Sequence, residues 1–344
     1  MRKLIVLCIV SASIILACNS GANKETKEDS AKMDELHNRA SNLFQSIASL
    51  ELEEPDPNKV ELGKYLYFDT GLSLNRNISC NSCHGLDNYG VDNLPVSPGD
   101  DGSLGNRNSP TTFHAAIHKM QFWDGRAVDV EEQARGPILN PVEHNIKDEK
   151  QLIQRIKEEG FYDELFAKAF GGDDPITFEN LTSAIGAFER TLIPESRFDH
   201  YLDGDLTALN EQEKKGLSIF IDAGCITCHS GAALGGQMLQ KFGLFSDYWK
   251  ETNSKTIDLG LYEISGDEDQ KHFFKVPGLR NILHTAPYFH DGSVEDIRDA
   301  IKIMARLQRD LELSDEEVDN MVAFFESLSA DITDEQKANP FDAL

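Results

Sequence analysis

Two short stretches carry the residues best suited to do chemistry. At 79–85 the chain reads SCNSCHG and at 224–230 it reads GCITCHS, so Cys80, Cys83 and His84 recur as Cys225, Cys228 and His229 with the same spacing. In a C-x-x-C-H pattern the two thiols can add to the vinyl groups of one haem, and the adjacent imidazole then reaches only the axial position of its iron. A single copy also fits a redox dithiol or half of a zinc site. Two copies, each ending in His, point to two covalently bound haem c groups with His84 and His229 as proximal ligands.

The other cysteines fit an exported chain. Met1, Arg2 and Lys3 precede an apolar run from Leu4 to Ala17, and the sequence ILAC closes it at Cys18. A positive head, a short apolar run and a small-residue box read as a secretory signal. The run is too short to cross a bilayer, which takes roughly 20 apolar residues. Residues 1–17 are therefore read as a lipoprotein-type signal peptide, which removes Cys8. Cys18 is read as the lipidated first residue of a periplasmic, membrane-anchored chain. Residues 18–50 are polar at first and read as a flexible tether. An oxidising compartment would pair loose cysteines, but the four that remain are all inside the two motifs.

The motifs need elements to hold them. Each follows a similar run, ELGKYLYFDTGLS before the first and EKKGLSIFIDAGC before the second, with Gly followed by Leu and Phe at helical spacing. The periodicity predicts further helices over 148–170 and 177–192, the latter placing Ile185, Phe188 and Leu192 on one face. In LSDEEVDNMVAFFESL, Ser314 and Glu317 form a capping box, and Val318, Met321, Phe325 and Leu328 form a stripe. Strand signals are sparse, and 86–112 and 229–272 are rich in loop formers. The fold expected is mainly α, with two cytochrome c-like domains, each carrying one covalent c-type haem. The first would span 51–195 and the second 196–330, with a tail over 331–344.

Of 344 residues, 59 are acidic and 33 basic, for a formal charge of −26. Such a surface repels nucleic acid and suits a basic partner.

Several ordered segments then carry a resemblance: GNRNSPTTFHAA, FWDGRAVDVEEQARGPILNPVE, FERTLIPESRFDHYLDGD, FKVPGLRNILHTAPYFHDGS and IKIMARLQRDLELSDEEV. Together with the two haem motifs, from about 55 to 330, the chain resembles the bacterial dihaem cytochrome c peroxidase family. That family includes the dihaem enzymes that mature methylamine dehydrogenase. The resemblance implies a peroxidatic haem at His84 and an electron-transfer haem at His229 with Met304 as its second ligand. A thioether ligand raises a haem potential, which suits a group that stores electrons. From the residues alone, Met238 and Met321 compete with Met304. The methylamine-type enzymes place Tyr where this chain has Met304, which favours a peroxidase.

The resemblance also assigns Glu143 as the general base and acid for hydrogen peroxide, Gln133 as its pocket companion, and Trp123 as the aromatic residue between the haems. It implies a calcium site at Asn108, Thr285 and Pro287, an electron donor that is a small cytochrome c or cupredoxin, and a homodimer. His290 belongs to the same pattern without being an iron ligand, and His114, His118, His272 and His284 receive no role. The alternatives are a dihaem oxidase of the methylamine-dehydrogenase-maturation type acting on a protein or organic substrate, and a non-enzymatic dihaem electron carrier. Two positions depart from the family. Asp100 stands where a removable histidine usually closes the first iron, so that haem is expected to lack a strong sixth ligand and to need no prior reduction. His144 stands where relatives often have Met.

Overall fold

The computed structural model describes residues 35–343. The expected signal peptide, Cys18 and the first part of the tether lie outside the described residues. The principal helices are α1 (Pro57–Phe68), α2 (Cys80–Cys83), α3 (Val130–Leu139), α4 (Glu149–Glu159), α5 (Asp163–Phe170), α6 (Phe178–Glu189), α7 (Glu211–Asp222), α8 (Ile297–Arg309) and α9 (Asp315–Glu326). The two strands β1 (Leu239–Lys241) and β2 (Phe273–Lys275) pair antiparallel, with Gln240 opposite Phe274.

The run before each motif is a helix, and each helix meets its partner in the same way. Pro57 opens α1, and the Asp56 carboxylate caps it by accepting from the Asn58 amide at 2.8 Å, which satisfies a donor the helix itself cannot. Asn210 and Glu213 form a reciprocal capping box at the start of α7,. Helix α1 packs on α6 so closely that a Cβ on Gly63 would lie 1.9 Å from the Ala184 carbonyl oxygen and 2.9 Å from the Phe188 Cβ. Helix α7 packs on α9 with the same spacing: a Cβ on Gly216 would lie 1.9 Å from the Asn320 oxygen and 2.8 Å from the Phe324 Cβ. Glycine is required at both crossings because only a hydrogen fits between the backbones. The similarity of the two pre-motif runs is thus a repeated helix crossing, one before each haem motif.

Apolar side chains gather accordingly. One cluster joins Leu62 and Leu66 of α1 to Leu152, Phe166 and Ile185. Another joins Leu217 and Phe220 of α7 to Val318, Met321, Phe324 and Leu328. The predicted stripe of α9 is buried at all four positions, as are Ile185, Phe188 and Leu192. The Ser314–Glu317 capping box forms as expected. The helix expected over 148–170 is instead two helices, α4 and α5, divided at Gly160 in left-handed backbone (φ +67). Their apolar faces continue across the break, and this continuity made the period look unbroken.

The chain ends cross over. Residues 35–50, expected to continue the flexible tether, begin with a helical turn at 35–41 and are packed. Ala40 and Phe44 are buried in the α7–α9 core, Arg39 pairs with Asp222 at 2.5 Å, and the Ile47 amide donates to Asp199 at 2.9 Å. Conversely the tail runs back onto the first half: Phe341 packs edge-on against Tyr65 with ring centroids 5.2 Å apart, and Lys64 donates to the Glu335 carbonyl at 2.5 Å. Each terminus therefore ties one half to the other.

Candidate haem sites and the pocket between them

At the second motif, α7 ends at Gly224 (φ +77) and the chain turns through Cys225–Thr227. The buried His229 ring has its Nδ1 3.0 Å from the Leu234 carbonyl oxygen. A carbonyl only accepts, so Nδ1 carries the proton and Nε2 keeps the lone pair an iron requires. Burial lowers the His229 pKa, which keeps the ring neutral,. Cys225, Cys228, His229 and Met304 line one deep cavity, with Met304 presented by α8. Met321 also reaches its wall, whereas Met238 is 37% exposed and does not line it.

At the first motif, Ser79 and Ser82 cap the single turn α2. His84 follows, with its amide donating to the Cys80 carbonyl at 2.9 Å. Its own carbonyl accepts from the buried Tyr67 hydroxyl at 2.7 Å, and that hydroxyl lies 3.1 Å from Thr112 Oγ1. The His84 Nδ1 is buried and has no hydrogen-bond partner among the described residues. Burial lowers its pKa as well. All four motif cysteines are unpaired. Burial raises the Cys80 thiol well above its ordinary range, and it pushes Cys83 and Cys225 each up to about 11. A redox dithiol works through a depressed pKa, and Cys80, Cys83 and Cys225 have the opposite character. Neutral imidazoles beside shielded thiols, in motifs wrapped by apolar helices, fit covalent haem.

The residues expected around the first haem sit on α3 and the turn that follows it. Glu143 is half-buried and its carboxylate accepts from the Asn140 side-chain amide at 2.6 Å. Burial raises its pKa above the ordinary carboxylate value, against the downward pull of Asn140 and Arg126. Its charge also contributes to the upward shift of the Cys83 thiol. Gln133 is half-buried on α3, the helix that runs on into Asn140 and the Glu143 turn. Arg126 lies over the Phe122 ring at 3.4 Å and pairs with the buried Asp124 at 2.6 Å.

The loop carrying Asp100 rests against that turn. A Cβ on Gly99 would lie 2.2 Å from the Val142 oxygen, and the Asp100 amide donates to the Glu143 carbonyl at 2.8 Å. The Asp100 side chain is buried, with each carboxylate oxygen accepting from Asn75 at 2.7 Å, one from its backbone amide and one from its side chain. Asp100 is thus committed to tying the loop down. His144 is buried too, its Nδ1 3.1 Å from the Leu72 carbonyl, and burial pulls its pKa down to about 4. The two loop histidines nearest in sequence are occupied elsewhere. His114 donates from Nε2 to the Pro194 carbonyl at 2.8 Å, and His118 lies beside Lys275 on the cavity of the second motif.

Trp123 is half-buried on the wall of that same cavity, and its indole N–H donates to the Asn108 carbonyl at 2.8 Å. Asn108, Thr285 and Pro287 each line this large cavity as well. The Asn108 side-chain amide donates to the Leu94 carbonyl at 2.9 Å, which leaves its oxygen as the atom suited to a hard cation. His290 is buried and its ring stacks on Phe274 at 4.2 Å. His284 stacks on Tyr89 at 3.8 Å, joining the loop after the first motif to the second half. Two groups that single letters did not reveal also face these sites. Glu189 is buried at the end of α6, its charge acts on Cys80, and burial with the nearby Glu131 pushes its pKa up to about 8. Lys275 is the other.

Two CxxCH turns on repeated helix crossings, each presenting a neutral histidine, define a dihaem c-type protein of mainly helical fold. The sequence profile of the di-haem cytochrome c peroxidase family matches residues 57–207. The chain is 42% identical over 310 residues to the cytochrome c551 peroxidase of Pseudomonas aeruginosa, covering 87% of this chain and 88% of that one. It is 41% identical over 300 residues to the cytochrome c551 peroxidase of Nitrosomonas europaea, covering 86% of each. Among solved structures it resembles a MauG-like protein associated with microbial copper homeostasis, with a TM-score of 0.75 at 28% identity over 84% of this chain and 97% of that one. The chain belongs to the di-haem cytochrome c peroxidase family, and membership implies two haem c groups.

Proposed function

We propose that this protein is a periplasmic cytochrome c peroxidase that reduces one H2O2 to two waters, taking up two protons and two electrons delivered one at a time by a small cytochrome c or cupredoxin. In this reading 51–195 forms the peroxidatic unit and 196–330 the electron-transfer unit, with Cys80, Cys83 and His84 holding the first haem. Cys225, Cys228, His229 and Met304 hold the second. A haem held by Cys80, Cys83 and His84 would supply the iron at which peroxide binds and its O–O bond is cleaved.

The chain's own residues do the rest. Glu143 takes the proton from the inner peroxide oxygen and returns it to the outer one, so the leaving group departs as water. Gln133 orients the peroxide beside it. Trp123, on the wall of the second cavity, would carry electrons between the two centres. Calcium at Asn108, Thr285 and Pro287 would stiffen the junction. A lipid on Cys18 and a homodimer complete the reading. Among the described residues no helix is long and apolar enough to cross a membrane.

The observation that supports the proposal is Glu143, a carboxyl whose pKa burial raises and which accepts from Asn140 on the turn that the Asp100 loop rests against. A pure electron carrier has no use for such a group. The test is steady-state oxidation of a reduced cytochrome c or cupredoxin by H2O2. Two donor molecules should be consumed per peroxide. Absence of turnover in a chain carrying both haems would overturn the assignment.

A further inference from the structure

Lys275 is 4% exposed, yet among the described residues no carboxylate forms an ion pair with it. Among the described residues its ammonium has one hydrogen-bond partner, the His118 Nδ1 at 3.3 Å, which can only accept from it. The nearest acidic influence is Asp124, and that carboxylate is already engaged by Arg107 at 2.5 Å and Arg126 at 2.6 Å. A buried, unpaired cation is strongly disfavoured unless an anion or a polar ligand meets it.

The surroundings are built to keep the pair in place. The Lys275 amide donates to the Trp123 carbonyl at 2.6 Å, and β2 fixes the residue opposite Leu239. His118 lies against two glycines: a Cβ on Gly236 would lie 2.2 Å from its Cδ2, and one on Gly278 would lie 2.9 Å from its Nε2. Because Nδ1 accepts from the lysine, Nε2 carries the ring proton and is a second donor. Both side chains line the cavity shared with Cys225, Cys228, His229 and Met304.

From this geometry we infer that Lys275 and His118 form a buried anchor for one propionate carboxylate of the second haem, which supplies the missing anion beside Trp123. The inference rests on the haem reading of the second motif. It makes Lys275 a positioning residue that also sets the haem potential, because a fixed positive charge favours the reduced iron.

A redox titration of the holoprotein, followed by haem absorbance, tests it. In Lys275→Met the midpoint of the second haem should fall and that of the first should stay in place, while Lys275→Arg should keep most of the wild-type value. His118→Gln should lower the same midpoint by less, and it carries the test if the methionine variant does not fold. An unchanged second-haem midpoint in a variant shown by mass to carry two haems would overturn the anchor alone. A wild-type chain with fewer than two haems would overturn the haem reading and the anchor with it.

Discussion

Glu143→Gln should lower peroxide turnover by about 10²–10⁴-fold, the usual worth of a positioned general acid–base group, while both haems stay attached. The side chain keeps its shape and can still meet Asn140, which holds the carboxylate at 2.6 Å, so the change removes the mobile proton and little else. The pH profile gives a second signature. Glu143 acts first as a base, so the free enzyme needs it ionised, and kcat/KM should fall as pH drops through its pKa. Burial raises that pKa above the ordinary 4.5, so the loss begins at higher pH than an exposed glutamate would give. In the Gln variant the remaining activity should lack this limb. A variant with full turnover and an unchanged acid limb would move the proton transfer to another group.

The second large effect is on stability. Gly216→Ala should destabilise the protein by roughly 3 kcal/mol or more, at or beyond the upper end of ordinary overpacking. Its added methyl would lie 1.9 Å from the Asn320 carbonyl, and the obstacle is backbone, which cannot rotate away. Helices α7 and α9 would have to separate, loosening Leu217, Phe220 and Phe324 together. Gly105→Ala is the control, since a Cβ there meets nothing nearer than 3.9 Å. Denaturant midpoints of the two variants should differ clearly. If Gly216→Ala melts with the control, the helix crossing is not the constraint described here.

Much of this was legible in the sequence wherever local chemistry is self-contained. The CxxCH spacing, the Ser314–Glu317 box and the stripe Val318, Met321, Phe325 and Leu328 each depend on neighbours within one or two turns, and each appears in the structure. The resemblance of the two pre-motif runs was visible, but its cause was not. Gly63 and Gly216 matter because of carbonyls more than a hundred positions away in the chain.

The tether was misjudged for a similar reason. Leu36, Ala40, Leu43 and Phe44 recur at helical spacing, but they follow a polar run, and the partners that bury them, such as Phe198 and Phe220, come from the far half. Lys275 was the least legible residue, since lysine is almost always exposed and only the fold reveals that this one is enclosed without a carboxylate. The roles of Glu143, Gln133 and Met304 came from resemblance. Physical reading adds burial, partners and the company each residue keeps.

In the proposed reading the first iron is open to peroxide. Asp100 spends both carboxylate oxygens on Asn75, His114 is tied to Pro194, and His118 faces the other haem cavity. An electron paramagnetic resonance spectrum of the fully oxidised holoprotein tests this most directly. The prediction is a high-spin ferric signal from the first haem beside one low-spin signal from the His229 and Met304 centre. A low-spin bis-histidine signal from the first haem would contradict it.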